Sequence, residues 1–125
     1  MIVQYAFDRN GRRIITHSCD ADISELVAVT GREKIGLIIV TDQVGRLTGI
    51  VSEHDLARAL AQNDAAMANI TAQQLMTNEV VACHSEVGIE IALGLMSTNQ
   101  IRHLPIVDDD WLLGIISIRD ILDVQ

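Results

Sequence analysis

Apolar residues are grouped along the chain in two ways that predict different elements. The continuous apolar run Leu37–Thr41 and the segment Leu47–Val51 flank a turn and predict paired β-strands buried on both faces. The segment that precedes them instead has helical spacing, and Asp20 or Asp22 can cap it. Its predicted inner face follows an i, i+3, i+4, i+7 pattern: Ile23, Leu26, Val27 and Thr30. A further helix after the second strand carries its apolar residues inward: Leu56, Ala57 and Leu60.

The second half of the chain repeats this order. Strands are predicted at His103–Val107 and Leu112–Ile116, after a helix with a matching inner face: Ile89, Ala92, Leu93 and Met96. A short apolar run also opens each half, and Ile14–His17 in the first half aligns with Val80–Cys83 in the second. The predicted fold is therefore α/β (α+β), with two tandem β-α-β-β-α units.

The clearest repeat is a turn that follows the last strand of each half. Gly49–Leu56 and Gly114–Ile121 both read Gly, two β-branched residues, Ser, two variable residues, Asp and a branched aliphatic residue. Gly49 and Gly114 are 65 residues apart, and the small, polar stretch between the two halves predicts units at 1–62 and 72–125. The linker between them is predicted at 63–71, where a capping box formed by Thr71 and Gln74 opens the second unit.

The N-terminal stretch has a different pattern. Ile2–Phe7 mixes apolar and β-prone residues, and Asn10-Gly11 can form a tight turn before the run at Ile14–His17. These features predict an N-terminal strand or hairpin in the first unit.

The Ser-x-x-Asp pattern of the repeated turn has two interpretations. Ser52 with Asp55, and Ser117 with Asp120, fit a capping box that satisfies free N–H groups at a helix start. The same geometry presents a hydroxyl and N–H groups to an anion, and an aspartate that can accept hydrogen bonds from a vicinal diol such as ribose. The spacing leaves both interpretations open, because a duplicated fold also duplicates its helix caps.

Composition and charge argue against several classes of binding partner. The chain carries a net charge of −8, which argues against nucleic acid or an anionic membrane as a main partner. The apolar runs are too short to span a bilayer, and the N-terminus lacks the features of a signal peptide. Cys19 and Cys83 are isolated, which favours reduced thiols and a cytoplasmic protein.

Catalytic and metal-binding patterns are not apparent. The four histidines have no metal-ligand spacing, and no nucleophile stands beside a base, so neither an enzyme nor a metal site is predicted. Positive charge does cluster near the second motif at Arg102, His103 and Arg119, and arginine suits phosphate through its planar fork. Local acids such as Asp108 could instead pair with these arginines.

These residues resemble a known family. The run Gly-h-x-Ser-x-x-Asp after an apolar strand, present twice, is similar to the paired CBS domain, named for cystathionine β-synthase. Ile101–Asp108 and Leu75–Thr77 are further matches, and the resemblance covers about residues 14 to 124.

The resemblance implies a regulatory module whose two units pack with pseudo-two-fold symmetry. It further implies an adenosine-containing ligand, namely AMP, ADP, ATP, S-adenosylmethionine or a dinucleotide, in clefts between the units. In the family pattern the motif aspartates take the ribose hydroxyls, the motif serines lie near the phosphate, and nearby strands line the base. Carried over, the nucleotide-binding residues are Ile15, Thr16, Ile38, Ser52, Asp55, Val81, Ala82, Arg102, His103, Pro105, Ser117, Arg119 and Asp120.

The resemblance also implies a homodimer and an unidentified protein effector. The alternative is a dimerisation or protein-interaction module whose Ser-x-x-Asp motifs are only helix caps. The first half departs from the family pattern, because Asp8–Gly11 reads as a turn where the second half has Gln74–Thr77 in a short helix. The strand Leu37–Thr41 also lacks the His-x-Pro of His103 and Pro105.

Overall fold

The structure is a computed structural model that describes residues 1–10, 16–33, 36–62 and 69–124. Helices and strands follow one another in the order α1 (Val3–Asn10), β1 (Thr16–Ser18), α2 (Ile23–Glu33), β2 (Leu37–Thr41), β3 (Leu47–Ser52), α3 (Glu53–Gln62), α4 (Ala72–Leu75), α5 (Ile89–Asn99), β4 (His103–Asp108), β5 (Trp111–Ser117) and α6 (Ile118–Leu122). Within these ranges no helix is long and apolar enough to cross a membrane.

The chain forms two compact units, and one of them combines segments from both ends of the chain. Ile15–Val80 form one, called here the three-stranded unit. Met1–Ile14 and Val81–Gln125 together form the other, the two-stranded unit. The N-terminal helix α1 thus belongs with the second half of the chain, and α4 belongs with the first. The boundaries 1–62, 63–71 and 72–125 stay a prediction about sequence repeats, and residues 63–68 lie outside the described ranges.

The three-stranded unit has the strand order β1-β2-β3. β1 runs parallel to β2, and β2 runs antiparallel to β3. The predicted strand Leu37–Thr41 is confirmed at both ends, because its continuous run of branched residues is buried along the centre of the sheet. The core beneath the sheet is aliphatic and contains Ala21, Ile23, Leu26, Val29, Ile38, Val40, Val51, Leu56, Ala59 and Ala72.

Two predicted helix faces in this unit were partly wrong. α2 is capped by Asp22, whose Oδ1 accepts the Glu25 N–H at 2.9 Å, but it buries Val29 while Val27 is exposed. α3 likewise buries Ala59 and leaves Ala57 exposed. In both helices the buried stripe turns toward positions three apart, since the side of the helix that meets the sheet is set by packing and not by hydrophobicity alone.

The two-stranded unit pairs β4 with β5 in antiparallel register. The predicted strand Val80–Cys83 is reduced to one parallel bridge between Cys83 and Ile106, in which Cys83 N–H donates to the Pro105 carbonyl at 2.9 Å. In the other unit His17 pairs with Val40, and the sequence repeat aligns these two residues with Cys83 and Ile106. The structural repeat therefore matches the sequence repeat.

The N-terminal stretch is a helix, which corrects the predicted strand or hairpin and the predicted turn at Asp8–Gly11. Val3–Asn10 form α1, with Val3 and Ala6 fully buried in the core of the two-stranded unit; Gly11 lies outside the described residues. Val3 N–H donates to the Val87 carbonyl at 2.8 Å, which fixes the start of the helix. The spacing of the buried residues is helical, and tertiary burial overrides their β propensity.

Candidate functional site

The first Ser-x-x-Asp turn joins β3 to α3 in the three-stranded unit. Asp55 N–H donates to Ser52 Oγ at 3.1 Å, and Ser52 N–H donates to Asp55 Oδ2 at 2.9 Å. This reciprocal pair is a capping box, so the predicted cap geometry is present. The Asp55 side chain keeps 14% of its surface exposed, which leaves its carboxylate within reach of a ligand.

The second turn joins β5 to α6 in the two-stranded unit and has the same geometry. Ser117 N–H donates to Asp120 Oδ2 at 2.9 Å, and Asp120 N–H donates to Ser117 Oγ at 3.0 Å. Here the residues are buried, with Asp120 4% exposed and Ser117 8% exposed. Asn10 of α1 also donates to the Asp120 carbonyl at 3.1 Å, so the helix start is held from two sides.

A cation that the sequence analysis missed lies beside the first motif. Arg58 Nη2 is 2.9 Å from Asp55 Oδ1, one helical turn along α3. When Asp55 is aligned with Asp120, the position that matches Arg58 is Asp123, an acid. The i, i+3 spacing of Asp55 and Arg58 was a readable signal, because oppositely charged residues at that spacing are neighbours on a helix.

Asp55 and Arg58 line one side of a groove in the three-stranded unit. Its volume is about 380 Å³. The remaining lining combines amide and aliphatic side chains from α3, α4 and the segment before α4: Ala59, Gln62, Ile70, Gln74 and Leu75. The groove thus offers one carboxylate, one guanidinium, two amides and three aliphatic side chains.

The other predicted residues of this unit are distributed between surface and core. Thr16 is exposed in β1 and pairs in register with Ile39. Ile38 is fully buried in the core, where its side chain packs under the sheet. Ile15 lies outside the described residues.

In the two-stranded unit the fold gathers several predicted residues beside the second motif. His103 pairs in register with Ser117, and the Arg102 carbonyl accepts the Ile118 N–H at 2.9 Å. Arg102, His103 and Arg119 are all exposed. The structure therefore places these positive residues near the second turn, as the sequence analysis expected. Their contact with a ligand stays a prediction.

Residues predicted to line the base lie on neighbouring strands of the same unit. Pro105 is buried in β4, and its carbonyl bonds to Cys83, next to Ala82. Val81 and Ala82 are half-buried. The predicted set Val81, Ala82 and Pro105 thus shares one edge of the unit.

Within the described residues no group of histidine, cysteine or acidic side chains is arranged to hold a metal ion. Cys19 and Cys83 are free thiols. Burial raises the pKa of the Cys83 thiol to about 11, and the nearby Asp108 charge adds to the effect. At neutral pH this thiol is protonated and a weak nucleophile.

A polar cluster in the two-stranded unit ties the segment before α5 to the end of β4. Asp108 accepts the Ser85 N–H at 3.1 Å and the Ser85 hydroxyl at 2.7 Å, and its Oδ1 is 3.0 Å from His84 Nε2. The aspartate stands between the serine and the histidine, so the imidazole does not contact the hydroxyl that a nucleophile would need activated. The cluster is structural.

The Ser85 backbone N–H, with the Ser85 hydroxyl and the His84 charge, holds the pKa of Asp108 below its ordinary value of 3.8. At pH values near and just below 4 the unfolded chain therefore binds more protons than the folded chain. The free energy of unfolding falls as the pH drops below about 4. We expect the urea midpoint of unfolding to fall less between pH 7 and pH 3 for Asp108→Asn than for the parent protein. Glu86→Gln removes one charge from the same exposed segment and serves as the control; an equal acid loss in both variants would contradict this role of Asp108.

The fold and the two turns define a class: a tandem repeat of small α/β units, each with a Ser-x-x-Asp turn between its last strand and last helix. Comparison with known proteins identifies the family. The CBS domain model matches residues 12–62 and again residues 72–125. The chain belongs to the CBS-domain family and carries two copies, as the resemblance in the sequence predicted.

Solved structures agree with this assignment. A CBS-domain-containing protein from Agrobacterium tumefaciens is 33% identical, with a TM-score of 0.85 over 99% of this chain and 98% of that one. The CBS domain pair of protein MJ0100, solved in complex with 5′-methylthioadenosine and S-adenosyl-L-methionine, is 28% identical, with a TM-score of 0.82 over 99% and 94% of the two chains.

Many curated relatives are longer than this chain. Inosine-5′-monophosphate dehydrogenase from Methanocaldococcus jannaschii is 36% identical over 110 residues, which are 87% of this chain but 21% of that enzyme. Across several other relatives the chain spans between 20% and 59% of their length.

Proposed function

We propose that this CBS pair is a regulatory module that binds an adenosine-containing ligand at its Ser-x-x-Asp turns. The candidates are AMP, ADP, ATP, S-adenosylmethionine and a dinucleotide. The observation that carries the proposal is the partly exposed Asp55 carboxylate, which lines a groove of about 380 Å³ beside Arg58. A carboxylate accepts hydrogen bonds from both hydroxyls of a ribose, and a guanidinium binds phosphate.

The capping box prepares Asp55 for this role. Its Oδ2 is fixed by the Ser52 N–H, so the carboxylate does not need to be ordered when a ligand arrives. Pre-ordering of this kind lowers the entropy cost of binding. The similar CBS pair solved with methylthioadenosine and S-adenosylmethionine supports the same ligand class for this chain.

A second candidate function is a protein-interaction module that uses the motifs only as helix caps. The buried second motif favours it, because Asp120 and Ser117 are 4% and 8% exposed and bond to each other. The two candidates differ in one observable: only the first predicts that an adenosine ligand raises the temperature of unfolding.

The proposed role is regulatory and not catalytic, and its output passes to another protein. A ligand changes the conformational balance of such a module only through its different affinities for the two states. The net charge of −8 disfavours nucleic acid as the partner. We place the module in the cytoplasm, consistent with its two free thiols.

We also propose that the chain forms a homodimer through the exposed apolar side chains of α5 and α6. Ile91 and Leu122 are 61% and 56% exposed, whereas the repeat equivalent of Ile91 in α2 is Glu25. In an acidic protein, exposed apolar side chains are where two copies can approach with less like-charge repulsion.

Light scattering at micromolar concentration is expected to give the mass of a dimer. Ile91→Glu should shift the protein toward the monomer, because a buried unpaired carboxylate is costly. Glu25→Gln, at the equivalent site of the other repeat, should leave the dimer intact. A monomeric parent protein would rule out this interface.

A further inference from the structure

We infer that Arg58 makes the first motif selective for phosphorylated adenosine ligands. Its guanidinium occupies the Asp55 carboxylate until the phosphate of a ligand replaces that carboxylate as the partner of Arg58. The inference rests on the proposed function, and it concerns which adenosine ligands this motif accepts. It is carried by the ion pair between Arg58 and Asp55 and by the groove that both side chains line.

Both oxygens of Asp55 are engaged in the structure. Oδ2 accepts the Ser52 N–H at 2.9 Å, and Oδ1 accepts from Arg58 Nη2 at 2.9 Å. The Ser52 bond belongs to the helix cap and stays in place when a ligand binds. A ribose that approaches Oδ1 therefore competes with the guanidinium of Arg58.

The competing contact is weak enough to open. The Arg58 side chain is 53% exposed, and a solvent-exposed ion pair contributes little to stability. A phosphate-bearing ligand offers the displaced guanidinium a new anionic partner in the same groove. A phosphate-free nucleoside offers none and leaves the cation without a partner, so its binding is weaker by the value of that contact.

Among the described residues, no arginine forms an ion pair with Asp120 of the second motif. At the position equivalent to Arg58 the second repeat has Asp123. The groove beside Asp123, of about 430 Å³, has its cation on α1 instead: Arg9, held over the Tyr5 ring at 4.7 Å. Selection by an arginine that blocks the motif aspartate is therefore a property of the three-stranded unit.

The test compares AMP with adenosine, titrated separately into the full chain and the full-chain variant Arg58→Gln. The amide NMR signals of Ser52 and Asp55 report binding at the first motif specifically. In the parent, AMP should bind more tightly than adenosine. In Arg58→Gln, AMP should bind about tenfold more weakly, because a charge-assisted contact is lost, while adenosine binds as well as before or better.

Arg32→Gln is the matched control, since it removes an exposed arginine from α2 of the same unit without touching the groove. It should change neither affinity. Equal weakening of AMP and adenosine in Arg58→Gln, no change in either, or binding without any shift at Ser52 and Asp55 would overturn the inference. Adenosine binding that occurs only in Arg58→Gln would support it. If neither ligand binds either protein, the inference fails, whereas the proposed function fails only if ADP, ATP, S-adenosylmethionine and NAD also leave the protein unchanged.

Discussion

Replacing Gly49 with alanine is expected to lower the free energy of unfolding by about 1–3 kcal/mol, the usual cost of overpacking a filled site. Gly49 lies in β3, opposite Val40. A Cβ at this position would stand 2.6 Å from Met76 Sδ and 2.9 Å from the Thr77 carbonyl oxygen. That carbonyl accepts the Ile50 N–H at 3.2 Å, so it cannot retreat without loosening the contact that holds the segment after α4 on the sheet.

Gly31→Ala is the matched control, because Gly31 lies on α2 of the same unit and a Cβ there meets nothing within 4 Å. Alanine in an open helical position is expected to add up to about 1 kcal/mol. Urea unfolding of the two variants should therefore separate them by about 1–4 kcal/mol. A Gly49→Ala protein as stable as the parent would show that the segment after α4 is not packed against β3 as described.

Gly114, the equivalent glycine of the second repeat, also has no room for a side chain, but a different residue fills the space. A Cβ there would meet the ring of Phe7, which α1 places against β5. The glycine at the start of each motif is thus explained by close packing: Met76 and Thr77 cover one copy, and Phe7 covers the other. The requirement is steric and needs no ligand.

The sequence was most informative where one local pattern decided the structure. The strand Leu37–Thr41 was predicted to the residue because a run of only five residues, rich in β-branched side chains and bounded by Gly36 and Asp42, favours a strand over a helix. The capping-box geometry, which both interpretations of the motif turns shared, was readable because its side-chain and backbone partners are three residues apart, and the structure forms the same reciprocal bonds in each copy.

Where distant contacts decided the structure, the sequence was misleading. Ile2–Phe7 contains β-prone residues, but Val3 and Ala6 are buried one helical turn apart in a core built mainly from the second half of the chain. No local pattern shows that α1 packs with the second half or that α4 packs with the first. Arg58 was missed for a simpler reason: it lies outside the repeated motif, and its counterpart in the second copy is the acid Asp123.

The central claim is that an adenosine ligand binds at the Ser-x-x-Asp turns. The most direct test is thermal unfolding of the protein with AMP, ADP, ATP, S-adenosylmethionine or NAD, beside Asp55→Ala and Asp120→Ala. Each variant is compared with its own ligand-free midpoint, because removing the aspartate also removes a helix cap that contributes about 1 kcal/mol. At a hundredfold excess over its dissociation constant, a ligand stabilises the folded state by about 2.7 kcal/mol.

We expect at least one ligand to raise the midpoint of the parent by on the order of 10 °C. The exposure of Asp55 predicts that Asp55→Ala abolishes this shift, and loss of the shift in Asp120→Ala alone would instead assign the ligand to the second motif. No shift with any ligand, in a well-folded protein, would contradict the account and leave both motifs as helix caps in a protein-interaction module.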